Sequence, residues 1–74
     1  MDMYTYEKIG KDVESGVEHM VLNIERNVVG IVDMCRHGYF NVKVEGGGEE
    51  VWPMADCKEI DVEKTKNTGR LSTL

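Results

Sequence analysis

The apolar positions of this chain change period once. Tyr6, Ile9, Val13 and Val17 recur at i, i+3, i+7 and i+11, a single stripe along a helix. The spacing predicts a helix over 4–15, with Thr5 as its cap and Ser15-Gly16 as its stop. Gly10 in its middle costs about 1 kcal/mol against alanine, which leaves an extended N-terminal arm as the competing reading. From Val17 onward the segments are short and rich in β-branched and aromatic residues: Val17 to Ile24, Val28 to Arg36, Tyr39 to Glu45, and Glu50 to Met54. Arg26-Asn27, His37-Gly38 and Gly46-Gly47-Gly48 separate them as turns. Phe40, Val42 and Val44 alternate cleanly with Tyr39, Asn41, Lys43 and Glu45, the pattern of a half-buried strand. Pro53 cannot donate a ladder hydrogen bond and must end its strand or lie on an edge. Ala55 to Lys58 reads as a tight helical turn leading to a last strand at Glu59 to Val62. The polar, unpatterned segment after it reads as a flexible tail. The expected organisation is a helix or arm over 1–16, a mainly β domain of about five strands over 17–62, and a tail over 63–74.

Composition narrows this further. Seventy-four residues with 41 % hydrophobic content make one globular domain, too small for a deep cleft with a supporting shell. Apolar runs are pairs and triplets such as Val28-Val29, far short of a membrane span. Met1-Asp2-Met3-Tyr4 lacks the basic start and apolar run of a secretion signal, so a soluble, cytoplasmic protein is expected. Nine basic residues against fourteen acidic ones give a net charge of −5. That sign works against phosphate neutralisation, the main source of nucleic-acid affinity, and favours basic faces on protein partners. Cys35 and Cys57 read as reduced, buried thiols; a disulfide between them requires a secreted chain.

Three stretches carry a resemblance to a known architecture. Asn27-Val28-Val29-Gly30-Ile31-Val32 is similar to the second strand of the SH3-like barrels of the Tudor, KOW and chromo-barrel group, where a glycine precedes an apolar pair. Gly38-Tyr39-Phe40-Asn41-Val42-Lys43-Val44-Glu45 resembles their central strand. Val51-Trp52-Pro53-Met54-Ala55-Asp56-Cys57-Lys58-Glu59-Ile60 resembles the strand, short turn and final strand that close the barrel, with Cys57 where those families often place leucine. The resemblance implies a five-stranded SH3-like barrel that binds a macromolecule. In size and acidity the whole chain also resembles the small early proteins with which bacteriophages bind and redirect host polymerases, nucleases or unfoldase-proteases.

Candidate chemistry is sparse. Cys35, His37, Cys57 and His19 are zinc-ligand types, but paired C-x-x-C or H-x-x-x-H spacing is missing, and no metal or cofactor is assigned. Cys35 beside His37 is the one hint of a nucleophile–base pair, with nothing to supply an oxyanion hole, so no enzyme is expected. Gly46-Gly47-Gly48 lacks the lysine of a phosphate loop and is flanked by Glu45, Glu49 and Glu50; it reads as a hairpin tip. An aromatic cage for methylated lysine requires Tyr39, Trp52 and Tyr4 or Tyr6 to converge, with Asp33 or Glu50 adding charge. Surface recognition is the leading expectation. With Phe40 inward, Tyr39 points out beside Lys43, and Arg36, His37, Tyr39, Lys43 and Trp52 form a candidate protein-binding face. Glu45, Glu49 and Glu50 form a second, acidic one. The alternative is a KOW-like nucleic-acid accessory domain using Lys8, Lys11, Arg26, Arg36, Lys43 and the tail residues Lys64, Lys66 and Arg70. A monomer, or a weak dimer paired through an exposed edge strand, is the expected state.

Overall fold

The computed structural model describes residues 1–60. A helix, α1 (Met3–Glu14), is followed by β1 (Met20–Asn23), β2 (Val28–Arg36), β3 (Tyr39–Val44) and β4 (Glu49–Pro53). A 3₁₀ turn (Met54–Asp56) then leads into β5 (Cys57–Ile60). The five strands form one antiparallel sheet in the order β4-β3-β2-β1-β5. The mainly β class and the short N-terminal helix are as the sequence pattern predicts. No ladder joins β4 to β5 among the described residues, so the sheet does not close into a complete barrel. Val62 and the tail over 63–74 lie outside the described residues. Among the described residues no helix is long and apolar enough to cross a membrane.

Helix α1 starts earlier than its apolar stripe suggests. Asp2 is the cap, its carboxylate accepting from the Thr5 amide at 3.3 Å, so Thr5 sits inside the first turn rather than before it. Gly16, with φ +92°, ends the helix just after its Ser15 cap. Val17 therefore leaves the stripe and is solvent-exposed. Tyr6 and Ile9 are buried against the sheet, and Val13 packs beside them. Gly10, costly for a free helix, has a tertiary reason here: a Cβ on it lies 3.3 Å from Cys35 Cβ, so the glycine lets α1 lie close on β2.

The turns fix strand register. His37 (φ +52°) and Gly38 (φ +82°) both adopt left-handed backbone, as a two-residue hairpin between β2 and β3 requires. Asn23, the one buried polar residue among the described residues, accepts the Arg26 amide on Oδ1 at 3.0 Å and orders the β1–β2 turn. The strand boundaries shift accordingly. β1 begins at Met20 instead of Val17, and β5 begins at Cys57, opposite Asn23, instead of Glu59. Pro53 closes β4, which is an edge strand, as its missing amide proton demands.

Val21, Val32, Phe40, Val42, Trp52 and Cys57 fill the inner face of the sheet together with Tyr6 and Ile9 of α1. Tyr6 meets Phe40 edge-on with ring centroids 5.1 Å apart. Its hydroxyl donates to the Tyr39 carbonyl oxygen at 2.9 Å and accepts from the Gly38 amide at 3.0 Å, tying the helix to the β2–β3 hairpin.

A candidate interaction face on the outer side of the sheet

Strand alternation assigns every side chain to one of two faces. On the inner face Phe40 pairs with both Cys35 and Trp52, and Val42 with Val32 and Glu50. A bulge at Asp33 inserts one residue into β2, so Val32 points in and Met34 points out. On the outer face Ile60, Met20, Ile31, Lys43 and Glu49 lie side by side across all five strands. Lys58, Leu22 and Val29 form a second row, Met34, Asn41 and Val51 a third, and Arg36, Tyr39 and Pro53 a fourth.

An antiparallel sheet covered on one side ordinarily shows a polar second side. This one does not. Val29, Ile31, Met34, Tyr39 and Val51 occupy outward positions on β2, β3 and β4 and are solvent-exposed, Tyr39 at 46 % and Val51 at 60 %. Half-buried Met20, Leu22 and Ile60 extend the apolar surface over β1 and β5. Contiguous exposed apolar surface on a small domain marks a contact site. The signal lies in the sequence as adjacent apolar pairs: Val28-Val29, Ile31-Val32, Met34-Cys35, Tyr39-Phe40 and Val51-Trp52 put one apolar residue on each face. The reading that placed Arg36, His37, Tyr39, Lys43 and Trp52 on the face passed over Val29, Ile31, Met34 and Val51.

The predicted site residues divide. Arg36, Tyr39 and Lys43 share the outer face, with Glu49 beside Lys43. His37 is exposed at the β2–β3 turn and Glu45 in the β3–β4 turn. Trp52 does not belong to the face. It pairs with Phe40, not Tyr39, and is buried to 2 % exposure. Glu50 is also turned inward from the acidic loop: its Oε1 accepts from the Trp52 indole Nε1 at 2.9 Å and from the Arg26 guanidinium. The Arg26 hydrogen bond, then the indole, hold the Glu50 carboxyl below its usual range. The aromatic cage does not form, because the Tyr39 ring lies on one face and the Trp52 and Tyr6 rings lie on the other.

Cys35 and Cys57 are free thiols. Burial first, then the Glu14 charge, pushes Cys35 up to about 11, and burial likewise raises Cys57, so neither is a ready nucleophile. His19 is bound on both ring nitrogens, Nε2 to Asp12 Oδ2 at 2.8 Å and Nδ1 to Glu59 Oε2 at 3.1 Å, clamping the end of α1 to β5. Among the described residues no group of three or more His, Cys, Asp or Glu side chains is placed to hold a metal ion. A shallow groove of about 340 Å³ lies between α1 and β2, bordered by Val13, Glu14, Asp33, Cys35 and Arg36. A scan against protein-family models finds no match, and neither do searches of curated proteins and of solved structures.

Proposed function

We propose that this protein is a non-catalytic interaction module that binds another protein through the outer face of β2, β3 and β4. The observation that carries the reading is the set of exposed Val29, Ile31, Met34, Tyr39 and Val51 on one face of a sheet whose other face holds the core. We read the fold as a strongly coiled, SH3-like sheet. The strand order, the 3₁₀ turn between β4 and β5, and the approach of Trp52 to Gly30 across two strands support that reading. Fold alone does not select a partner, so the argument rests on the face.

The aliphatic character of the face favours a protein over a nucleic acid. Val29, Ile31, Met34 and Val51 contribute nothing to phosphate neutralisation, and Arg26, one of the cations required for it, is engaged by Glu50. The test is selection of displayed random peptides on the immobilised protein, followed by measurement on the double variant Ile31→Ser/Val51→Ser. Selected peptides should bind the parent and lose at least about tenfold in affinity on the variant, equal to about 1.4 kcal/mol. Equal binding to both proteins would place the contact elsewhere.

A further inference from the structure

The charges of this acidic protein are sorted between its faces. At the outward strand positions stand Arg36, Lys43 and Lys58, against the single carboxylate Glu49. Glu7, Asp12 and Glu14 on α1, Glu18, Glu25 and Glu45 in the connections, and Asp33 in the bulge carry the acidic excess elsewhere. Among the described residues no ion pair engages Arg36, Lys43 or Lys58, whereas Arg26 is held by Glu50. The apolar rows therefore have cations at three sides: Arg36 at the β2–β3 turn, Lys43 on β3 toward the opposite end, and Lys58 on the β5 edge.

From this complementarity we propose that the partner segment presents apolar side chains bordered by aspartate or glutamate. The inference rests on the outer face being the contact surface and adds the chemistry of what it takes. Carboxylates at the border of such a segment meet guanidinium and ammonium groups that no ion pair among the described residues engages, so pairing breaks none of those ion pairs. A basic segment meets like charge at the same three points. A second copy is disfavoured on charge count: a two-fold dimer through this face brings three outward cations of each copy into one interface, with only Glu49 from each to offset them. The chain-wide charge of −5 points to a basic partner, and the placement of the charges reverses that expectation.

The experiment is a random peptide display selection on the full chain, with the enriched peptides titrated by fluorescence anisotropy at about 0.05 M and about 0.5 M salt. The variants are Lys43→Glu/Lys58→Glu and Ile31→Ser/Val51→Ser, each first checked for a parent-like thermal transition. Enrichment of Asp and Glu next to apolar residues, with affinity about tenfold weaker on the charge variant and the difference shrinking at high salt, supports the proposal. Enriched peptides that are neutral or basic, bind the charge variant as well as the parent, and are lost only on Ile31→Ser/Val51→Ser overturn the charge inference and leave the face standing. Peptides that bind both variants as tightly as the parent overturn both. A dimer in sedimentation equilibrium that Ile31→Ser/Val51→Ser dissociates makes the occupant a second copy and overturns the proposal. A selection that enriches no peptide also overturns it.

Discussion

Replacing Gly30 with alanine tests how sharply the sheet bends, which is what gives it an inner and an outer side. Gly30 lies on the inner face of β2, diagonal to Val42 on β3. Diagonal Cβ atoms in a flat antiparallel pair lie roughly 7 Å apart or a little less. Here a Cβ on residue 30 falls 2.8 Å from Val42 Cβ, 2.9 Å from Val42 Cγ2 and 3.0 Å from Trp52 Cη2. Ordinary contact begins at 3.4 Å, so Val42 must retreat by 3.4 − 2.8 = 0.6 Å. Its Cβ is fixed to the backbone and cannot rotate out of the way. Val42 and Trp52 are both fully enclosed, so the displacement propagates into the core.

Overpacking of this kind costs typically 1–3 kcal/mol, and the anchored Cβ sets this case near the top of the range. The alanine recovers about 0.4–1 kcal/mol by restricting the unfolded chain. The net expectation is a loss of about 2 kcal/mol, or roughly 8–16 °C in Tm for a domain of this size. Two glycines serve as controls. A Cβ on Gly48 meets only Val44 Cγ2 at 3.5 Å, so Gly48→Ala should stay within about 0.5 kcal/mol of the parent. At Gly10 the 3.3 Å approach to Cys35 offsets a helix-propensity gain of about 1 kcal/mol, and the change should be small. Thermal melts followed by circular dichroism and Trp52 fluorescence rank the three. A Gly30→Ala melt within about 3 °C of the parent would show that Trp52 does not lie over Gly30.

Three further outcomes follow from the contacts of α1, Glu50 and Cys35. Tyr6→Phe keeps the ring against Phe40 but strands the Gly38 amide and the Tyr39 carbonyl; it should cost about 1–2 kcal/mol in urea unfolding, with an unchanged m-value. The folded-state pKa of Glu50 is depressed, so its tether to Arg26 and Trp52 is complete above the ordinary value of 4.5 and is lost as pH falls through the lower folded value. Trp52 emission should therefore change on acidification below 4.5, and Glu50→Gln should abolish that step. Cys35, raised to about 11 from 9.0, should react with iodoacetamide at neutral pH about a hundredfold more slowly than a free thiol, and urea should restore the rate.

The parts of the fold that depend on short-range chemistry are legible in the sequence. His37-Gly38 supports a two-residue turn because both positions accept left-handed backbone. Pro53 marks an edge, and the 3₁₀ turn follows it. What the pattern leaves open is parity. β4 holds Glu49, Glu50, Val51, Trp52 and Pro53, in which Val51 and Trp52 are both apolar and either can be the inward one. The choice is made by the glycine turn, where the Val44 amide donates to the Gly48 carbonyl at 2.9 Å and sets Lys43 opposite Glu49. Trp52 then falls opposite Phe40, and a residue expected on the binding face becomes core. A one-residue change in that turn inverts the assignment. At the N-terminus short-range chemistry also outranks periodicity: Val17 continues the helical spacing, but Ser15-Gly16, read as the stop, ends the helix.

The same ambiguity of parity carries functional information. A domain of this size has one interior, and α1 covers only the inner face of the sheet. Outward Val29, Ile31 and Val51 add little to that interior, since exposed side chains forgo most of the roughly 25 cal/mol per Å² that burial supplies. Folding alone does not demand them, and edge-to-edge or face-to-face association is a standing hazard of such a sheet. The charge arrangement counters that hazard without making the face polar. Arg36, Lys43 and Lys58 outnumber Glu49 at its border, so an interface between two copies gathers excess positive charge, while acidic side chains elsewhere keep the molecule at −5. On the proposed reading, an apolar face whose border is mainly cationic disfavours its own copy and admits a segment of opposite sign.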